Sequence, residues 1–161
     1  MLKSRLIHPE LLRALGCAGH GAKVLLADGN YPLSTRSPAT AARVYLNVAP
    51  GLVTVTDLLG PLVSAIPIEA AEVMVPAEGP EPPIFAEFRR ILAHASTAAG
   101  TGPERLELTA LSRSGFYAAA SEPEVALAIA TGERRIYANL LLTIGVVDPA
   151  APDRTEPDPP A

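Results

Sequence analysis

A histidine, an aspartate and a later group of polar side chains are the residues of this sequence best suited to chemistry. His20 stands between Gly19 and Gly21, and Asp28 follows at the end of a short apolar run. The later group comprises Arg113, Tyr117, Glu133, Tyr137 and Asn139. An imidazole changes its charge near neutral pH, while carboxylates, phenols and amides exchange hydrogen bonds with hydroxyl groups. Such a set suits proton shuttling on a polar, uncharged substrate without a cofactor.

The same residues have ordinary structural interpretations, which stay open at this point. A histidine in a glycine-rich turn is commonly a solvated turn residue, and an aspartate after a strand commonly forms an Asx turn. Tyr117 equally suits the core, and Arg113 suits a surface ion pair. Glu133 suits a turn, and Asn139 suits the edge of a strand.

Several other chemistries lack their sequence signature. The three histidines do not have metal-ligand spacing with one another or with the one cysteine, Cys17. Gly19-His20-Gly21 lacks the third glycine of a dinucleotide fingerprint, and neither a Walker-type phosphate loop nor a Gly-x-Ser-x-Gly elbow occurs. We therefore expect neither a metal nor a cofactor.

Cys17 and the first residues bear on the compartment. A single cysteine cannot form an internal disulfide, and we expect Cys17 to be a small buried apolar side chain. Pro9 and Glu10 interrupt any apolar segment near the start, so we expect no secretory signal. These features predict a cytoplasmic protein.

The elements around the histidine and the aspartate are a helix and a strand. Pro9 suits a first helical position, and Leu11, Leu12 and Leu15 form an apolar stripe after it. The apolar run 24–27 is closed by turn residues, which predicts a buried strand. His20 then lies where the chain enters this strand, and Asp28 lies where it leaves.

Apolar periodicity continues along the chain and alternates between strand and helix patterns. Thr56-Asp57 is typical of a helix N-cap, and Gly60-Pro61 predicts a kink in that helix or a delayed start. Extended or apolar runs cover 43–48, 68–75, 106–110, 125–130 and 136–147, and helical patterns cover 58–66, 84–92 and the residues after Gly115. The segment 95–103 is small and polar, which predicts a flexible insertion. This alternation indicates an α/β domain with helices covering a central sheet.

Charge and composition define one domain with a distinct tail. The residues from Asp148 carry four acidic side chains and one arginine, which is most of the net charge of −4. Their proline content and scarcity of apolar residues predict a disordered tail over 148–161, after a domain over 1–147. That domain is almost neutral without a basic cluster, which argues against nucleic acid as a partner. No apolar run approaches the length needed to cross a bilayer, so we expect no membrane partner.

Motifs spread over residues 1–147 make the chain resemble the family of ribose pyranases and fucose mutarotases. They are His8-Pro9-Glu10-Leu11-Leu12, Gly19-His20-Gly21, Ala27-Asp28, Asn30-Tyr31-Pro32, Thr56-Asp57-Leu58-Leu59, Pro67-Ile68-Glu69-Ala70-Ala71, Val73-Met74, Glu87-Phe88-Arg89, Arg113 with Phe116-Tyr117, the run from Ala130 to Asn139, and Gly145-Val146-Val147. Within the family, Arg113 with Phe116-Tyr117 and the Thr-Gly-Glu before Tyr137 resemble the fucose mutarotase branch.

The resemblance implies a three-layer α/β/α subunit with a central mixed sheet. It also implies a ring-shaped homo-oligomer, typically a decamer of two stacked pentamers, with sites at subunit contacts. His20 would donate and accept the proton, and the sugar would be held by Asp28, Arg113, Tyr137, Asn139, Tyr117 and Glu69. The resemblance is incomplete at Ala22, where the family often has an acidic residue that would orient the imidazole.

Three functions are open, and the resemblance makes the first the leading hypothesis. It is a cofactor-independent sugar mutarotase, an isomerase acting on L-fucose or a similar pyranose. The second is a non-catalytic monosaccharide-binding or transport-accessory protein of the same fold, which the alanine at position 22 keeps open. The third is a ring-forming structural protein with a vestigial pocket.

Overall fold

Four helices and six strands occur in residues 2–98 and 106–147, the part of the chain that the computed structural model describes. The helices are α1 (Pro9–Cys17), α2 (Val55–Val63), α3 (Ile84–Ala98) and α4 (Arg113–Ala119). The strands are β1 (Lys23–Ala27), β2 (Ala42–Tyr45), β3 (Ile68–Met74), β4 (Leu108–Leu111), β5 (Val125–Ala130) and β6 (Leu140–Ile144).

The strands form one mixed sheet in the order β2-β5-β1-β6-β3-β4. Strand β6 pairs antiparallel with both β1 and β3, while the pairs β1–β5, β2–β5 and β3–β4 are parallel. The carboxyl ends of β1 to β5 therefore share one end of the sheet with the amino end of β6. We call it the carboxyl end of the sheet and its opposite the amino end. The edge strands, β2 and β4, have four residues each.

Apolar side chains alternate between the two faces of the sheet and divide the core into two clusters. On β1, Val24 and Leu26 face a cluster that includes residues of α1, α2 and α3. Leu25 and Ala27 face a second cluster with residues of α4. Helices therefore cover both faces, which confirms the α/β/α architecture and the buried strand predicted at 24–27.

The start of α2 differs from the prediction. Its N-cap is Thr54, not the Thr56-Asp57 pair. The Thr54 hydroxyl accepts from the backbone N–H of Asp57, and the Asp57 carboxylate accepts from the backbone N–H of Thr54. This reciprocal capping box requires a spacing of three residues, which Thr54 satisfies. The helix continues through Pro61 because its apolar face is buried at Leu58, Leu59, Leu62 and other positions.

Several other boundaries differ by a few residues. Strand β2 ends at Tyr45 and β6 covers only 140–144, so the apolar runs around them extend beyond the paired segments. Helix α3 reaches Ala98, and the proposed insertion at 95–103 therefore begins inside a helix. The rest of that insertion, at 99–103, and the predicted tail, 148–161, lie outside the described residues.

The expectation that Cys17 is buried is wrong. Cys17 is the last residue of α1, and its side chain is exposed. The buried residues of that helix are Leu11, Ala14 and Leu15, which already form its apolar stripe. Within the described residues, none of the helices is both long and apolar enough to span a membrane.

A close backbone contact joins the loop after β5 to the loop after β2. The backbone N–H of Gly51 donates to the Gly132 carbonyl at 2.6 Å, and the backbone N–H of Gly132 donates to the Val53 carbonyl at 2.8 Å. A Cβ atom on Gly132 would collide with the carbonyl oxygens of Ala49 and Leu52. Only glycine therefore fits this position without moving backbone.

We expect Gly132→Ala to lower the free energy of unfolding by about 2–4 kcal/mol, because the added methyl group meets rigid backbone. Gly16→Ala is the matched control, since a Cβ there meets nothing within 4 Å and Gly16 lies inside α1. The control should gain about 0.5–1 kcal/mol from helix propensity. Urea unfolding at one fixed protein concentration measures both, and equal stability of the two variants would contradict the prediction.

Candidate functional site

A cavity of about 430 Å³ opens at the carboxyl end of the sheet. Its volume falls in the range of small-molecule sites. The lining residues are Asp28, Asn30, Tyr31, Met74, Arg113, Tyr117, Ile136, Tyr137 and Asn139. Five of the residues predicted to hold a ligand are thus brought together, although they are far apart in sequence: Asp28, Arg113, Tyr117, Tyr137 and Asn139.

The floor of the cavity is a buried pair of hydrogen bonds between Asp28 and Asn139. Asp28 follows β1 and Asn139 precedes β6, and these antiparallel neighbours place the two residues side by side. The Asp28 backbone N–H donates to Asn139 Oδ1 at 2.9 Å, and Asn139 Nδ2 donates to Asp28 Oδ2 at 2.9 Å. Both residues are about 4% exposed. The carboxylate and the amide therefore have fixed positions.

The second oxygen of Asp28 forms the Asx turn that the ordinary interpretation predicted. Oδ1 accepts from the backbone N–H of Asn30 at 2.9 Å. Burial raises the pKa of Asp28, and the hydrogen bonds from Asn30, Ala138, Asn139 and Tyr31 only partly offset that effect. Asp28 is thus both a turn residue and a buried carboxyl group in the cavity.

Arg113 and Tyr137 form one wall. Arg113 is the first residue of α4, directly after β4, and its Nη2 donates to the Tyr137 hydroxyl at 3.0 Å. The guanidinium carbon lies 5.7 Å from the centroid of the Tyr137 ring. Tyr137 has φ 59°, in the left-handed region that residues other than glycine rarely adopt. This backbone conformation and the contact with Arg113 hold the phenol at the cavity.

Tyr117 and Tyr31 form an aromatic wall of the cavity. Their ring centroids are 5.5 Å apart, and Tyr31 also meets Phe116 edge to face at 6.2 Å. The Tyr31 hydroxyl donates to the Arg36 carbonyl at 2.8 Å. Burial raises the pKa of Tyr31, so its hydroxyl stays protonated as a donor. Tyr117 lines the cavity and also packs against the core, so its interpretation as a core residue applies, and its part in binding stays a prediction.

Four lining residues were not predicted as site residues: Asn30, Tyr31, Met74 and Ile136. A signal for two of them was present in the sequence. Asn30 and Tyr31 follow the same strand as Asp28, and ligands of open α/β sheets bind beyond the carboxyl ends of strands. Met74 ends β3 at the same end, but only the parallel direction of β3 relative to β1 reveals this.

Glu133 is absent from the cavity lining, although it belonged to the predicted polar group. Its side chain is 3% exposed and accepts from Arg135 at Nε, Nη2 and the backbone N–H. It also accepts from the backbone N–H of Arg134 at 2.9 Å. Arg135 in turn reaches Glu87 on α3 and Thr56 on α2. Glu133 therefore clamps the loop that carries Tyr137.

His20 and Glu69 lie at the amino end of the sheet, away from the cavity. His20 precedes β1 and Glu69 is the second residue of β3, and His20 Nε2 is 2.9 Å from Glu69 Oε2. Both side chains are exposed, by 61% and 42% respectively. Glu69 thus gives the imidazole the carboxylate neighbour that Ala22 cannot supply. At about 3.3 Å per residue, the five residues of β1 alone separate the two ends by about 16 Å.

Among residues 2–98 and 106–147, no group of three or more His, Cys, Asp or Glu side chains is arranged to hold a metal ion. The polar side chains lining the cavity are a carboxylate, two amides, three phenols and a guanidinium. These groups hydrogen-bond to hydroxyl groups, as a sugar requires.

Comparisons with known proteins agree with this architecture. The sequence profile of the RbsD / FucU transport protein family matches residues 1–147. The fucose mutarotase of Homo sapiens is 33% identical over 149 residues, covering 88% of this chain and 90% of that protein. A D-ribose pyranase of Variovorax paradoxus is 28% identical and covers 91% of this chain and 98% of that protein. The crystal structure of a fucose mutarotase from Streptococcus pneumoniae in complex with L-fucose superposes with a TM-score of 0.73 at 27% identity, covering 92% of this chain and 100% of that chain.

The clamp at Glu133 predicts a pH-dependent contribution to stability. Burial alone would raise the pKa of Glu133, but the hydrogen bonds from Arg135 and Arg134 outweigh it and lower the pKa below its ordinary value. The folded protein then binds this proton less readily than the unfolded chain, so ionised Glu133 stabilises the fold above its ordinary pKa. We expect Glu133→Gln to cost about 1–2 kcal/mol at neutral pH, and the cost to shrink as pH falls from about 5 to about 3.

Glu87→Gln is the matched control for this measurement. It removes an exposed partner of the same guanidinium, so it should cost no more than about 0.5 kcal/mol. Urea unfolding of the three proteins across the pH range gives the comparison. A Glu133→Gln cost that stays constant down to pH 3 would mean that the lost charge is not its cause.

Proposed function

This chain belongs to the RbsD / FucU transport protein family, and from that we infer that it is a sugar mutarotase, an isomerase that interconverts the anomers of L-fucose or a similar pyranose. The observation that carries the proposal is the cavity in which Asp28, Asn139, Arg113 and Tyr137 converge. The similarity to fucose mutarotases covers most of the chain. The cavity has the donors and acceptors that bind sugar hydroxyls in fixed positions.

The reaction needs one proton removed and one proton delivered. The anomeric hydroxyl loses its proton, the ring oxygen gains one, and the bond between the anomeric carbon and the ring oxygen breaks to give an open aldehyde. Rotation about the adjacent carbon–carbon bond and reclosure give the other anomer with no change of oxidation state. Hydrogen bonds from the cavity hold the remaining hydroxyl groups while the chain is open.

We propose His20 as the group that transfers these protons, with Glu69 orienting its imidazole. An imidazole acts as base and acid near neutral pH. Its position at the amino end of the sheet, about 16 Å or more from Asp28, prevents it from reaching a sugar in the cavity of its own subunit. A second copy of the chain, docked with its amino end over this cavity, would bring His20 to the substrate. Glu69 would then approach the same sugar, as the substrate-binding role predicted for it requires.

Exposed apolar side chains at both ends of the sheet support such a contact. Ile136 lines the cavity and is 68% exposed, and Val48 and Leu52 lie on the neighbouring loop after β2. At the amino end, Val146 and Val147 follow β6 and are 62% and 70% exposed. A contact between these two different surfaces is heterologous, and a heterologous contact that closes produces a ring. We propose a ring-shaped homo-oligomer, a decamer as the resemblance implies, in the cytoplasm.

The second candidate function is a non-catalytic monosaccharide-binding or transport-accessory protein. One observation favours it: among the residues that the structure describes, no histidine lines the cavity of a single subunit. Exchange NMR on L-fucose separates the two functions. Exchange between anomers above the buffer rate supports the mutarotase, and saturation transfer from protein to sugar without exchange supports the binding protein.

We expect His20→Asn to lower the rate of anomer exchange by about 10²–10⁴-fold, to the buffer background, while sugar still binds. Asp28→Asn should abolish exchange through loss of the cavity carboxylate. When the two variants are unfolded, mixed in equal amounts and refolded together, about a quarter of the contacts pair an intact His20 with an intact cavity. Exchange should therefore return to about a quarter of the wild-type rate.

Arg113→Ala replaces Asp28→Asn in the mixture if the latter fails to fold, because Arg113 is exposed and outside the buried floor. Light scattering of each single variant is the control for assembly. If the His20→Asn variant alone exchanged anomers at the wild-type rate, His20 would have no acid–base role. Variants that assemble normally but regain no exchange on mixing would show that the site does not combine two subunits.

A further inference from the structure

Arg36 brings a positive charge to the edge of the cavity. Its guanidinium carbon lies 5.3 Å from the centroid of the Tyr117 ring, and Tyr117 lines the cavity. Its backbone carbonyl accepts from the hydroxyl of Tyr31, a second lining residue. The side chain is exposed, but the loop that carries it is fixed against the aromatic wall.

Neither Arg36 nor Arg113 has an acidic partner in the described part of the chain. The ion pairs there involve His20, Lys23, Arg89 and Arg135, but neither of these two arginines. A guanidinium stacked on an aromatic ring keeps its N–H groups at the rim available. Arg113 uses one N–H for the Tyr137 hydroxyl, and its remaining donors are available to a ligand.

Among the described residues that line the cavity, the one carboxyl group is that of Asp28. Both oxygens of Asp28 are already bound, to Asn30 and to Asn139, and the group lies in the floor. Arg113 lies in the wall of the cavity, and Arg36 lies against the Tyr117 ring. The phenols of Tyr31, Tyr117 and Tyr137 also line the cavity. Within one subunit, the upper part of the cavity therefore has an excess of positive charge, and the Glu69 carboxylate that a second copy would bring is already paired with His20 of that copy.

We propose that Arg36 is a specificity-determining residue, and that with Arg113 it makes the cavity favour a pyranose carrying an anionic substituent over its neutral counterpart. The inference rests on the proposed function and narrows its substrate class. Arg113 would contact the substituent directly, because guanidinium binds carboxylate and phosphate through paired N–H donors. Arg36 would act through its charge, at a distance.

The test compares sugars that differ only in this substituent. D-Galacturonate and D-glucuronate are measured against D-galactose and D-glucose, and D-glucose 6-phosphate distinguishes phosphate from carboxylate. Exchange NMR gives the rate of anomer exchange, and saturation transfer gives the dissociation constant. We expect at least one anionic sugar to bind more tightly and exchange faster than its neutral counterpart. The advantage should shrink as NaCl rises from about 20 mM to about 500 mM, because salt screens the charges.

Arg36→Gln should lower the ratio of anionic to neutral exchange by about 3-fold to 30-fold, the range expected for one charge at about 8 Å in media between water and protein. Arg13→Gln, an exposed arginine on α1, is the matched control and should leave this ratio unchanged. Loss of folding in Arg36→Gln would be visible as a lower Tm, and Arg36→Lys, which keeps the charge, should then retain the anionic preference.

The outcomes separate this inference from the proposed function. If L-fucose exchanges and the neutral sugars equal or exceed the anionic ones, the substrate class is wrong and the mutarotase stands. If no sugar exchanges, the mutarotase is wrong, and the dissociation constants alone decide the anionic preference. An unchanged ratio in Arg36→Gln, or a preference insensitive to salt, would remove Arg36 from the explanation.

Discussion

The pair of buried hydrogen bonds between Asp28 and Asn139 is the constraint on which the cavity depends. It joins the residue that follows β1 to the residue that precedes β6, two neighbouring strands that are far apart in the sequence. Because each residue is hydrogen-bonded to the other, both have fixed positions at the cavity floor. The Asx turn at Asn30 extends this order into the loop that carries Tyr31. One aspartate therefore connects the sheet, the loop and the cavity.

A second set of contacts fixes the loop of the cavity wall against two helices. Arg135 binds Glu133 in its own loop and reaches α2 and α3 through Thr56 and Glu87. The loop is therefore fixed before it reaches Tyr137, whose left-handed backbone angle is unfavourable for a tyrosine. The surrounding contacts offset that cost. A substitution at Glu133 should thus affect the cavity without touching it.

The sequence predicts elements better than it predicts where they meet. Short apolar runs and caps place β1, β5 and α1 because these signals are local. The predicted start of α2 is wrong because Thr54 and Thr56 both have a side chain that suits an N-cap. Only the reciprocal hydrogen bonds with Asp57 identify Thr54 as the cap. Asp28 and Asn139 lie side by side because β1 and β6 are antiparallel neighbours. The order and direction of the strands cannot be predicted from local patterns of apolar and polar residues. The distance between His20 and the cavity appears only in the folded sheet.

The shortness of the two edge strands has a consequence for how copies of the chain can associate. An unpaired strand edge is a template for another strand, and unlimited pairing of this kind produces aggregates and fibres. Strands β2 and β4 present only four residues each, and β2 is followed at once by a tightly bonded loop. Growth by sheet extension is therefore discouraged at both sides. The proposed self-association would then use the strand ends, where a contact between two different surfaces can close into a finite assembly.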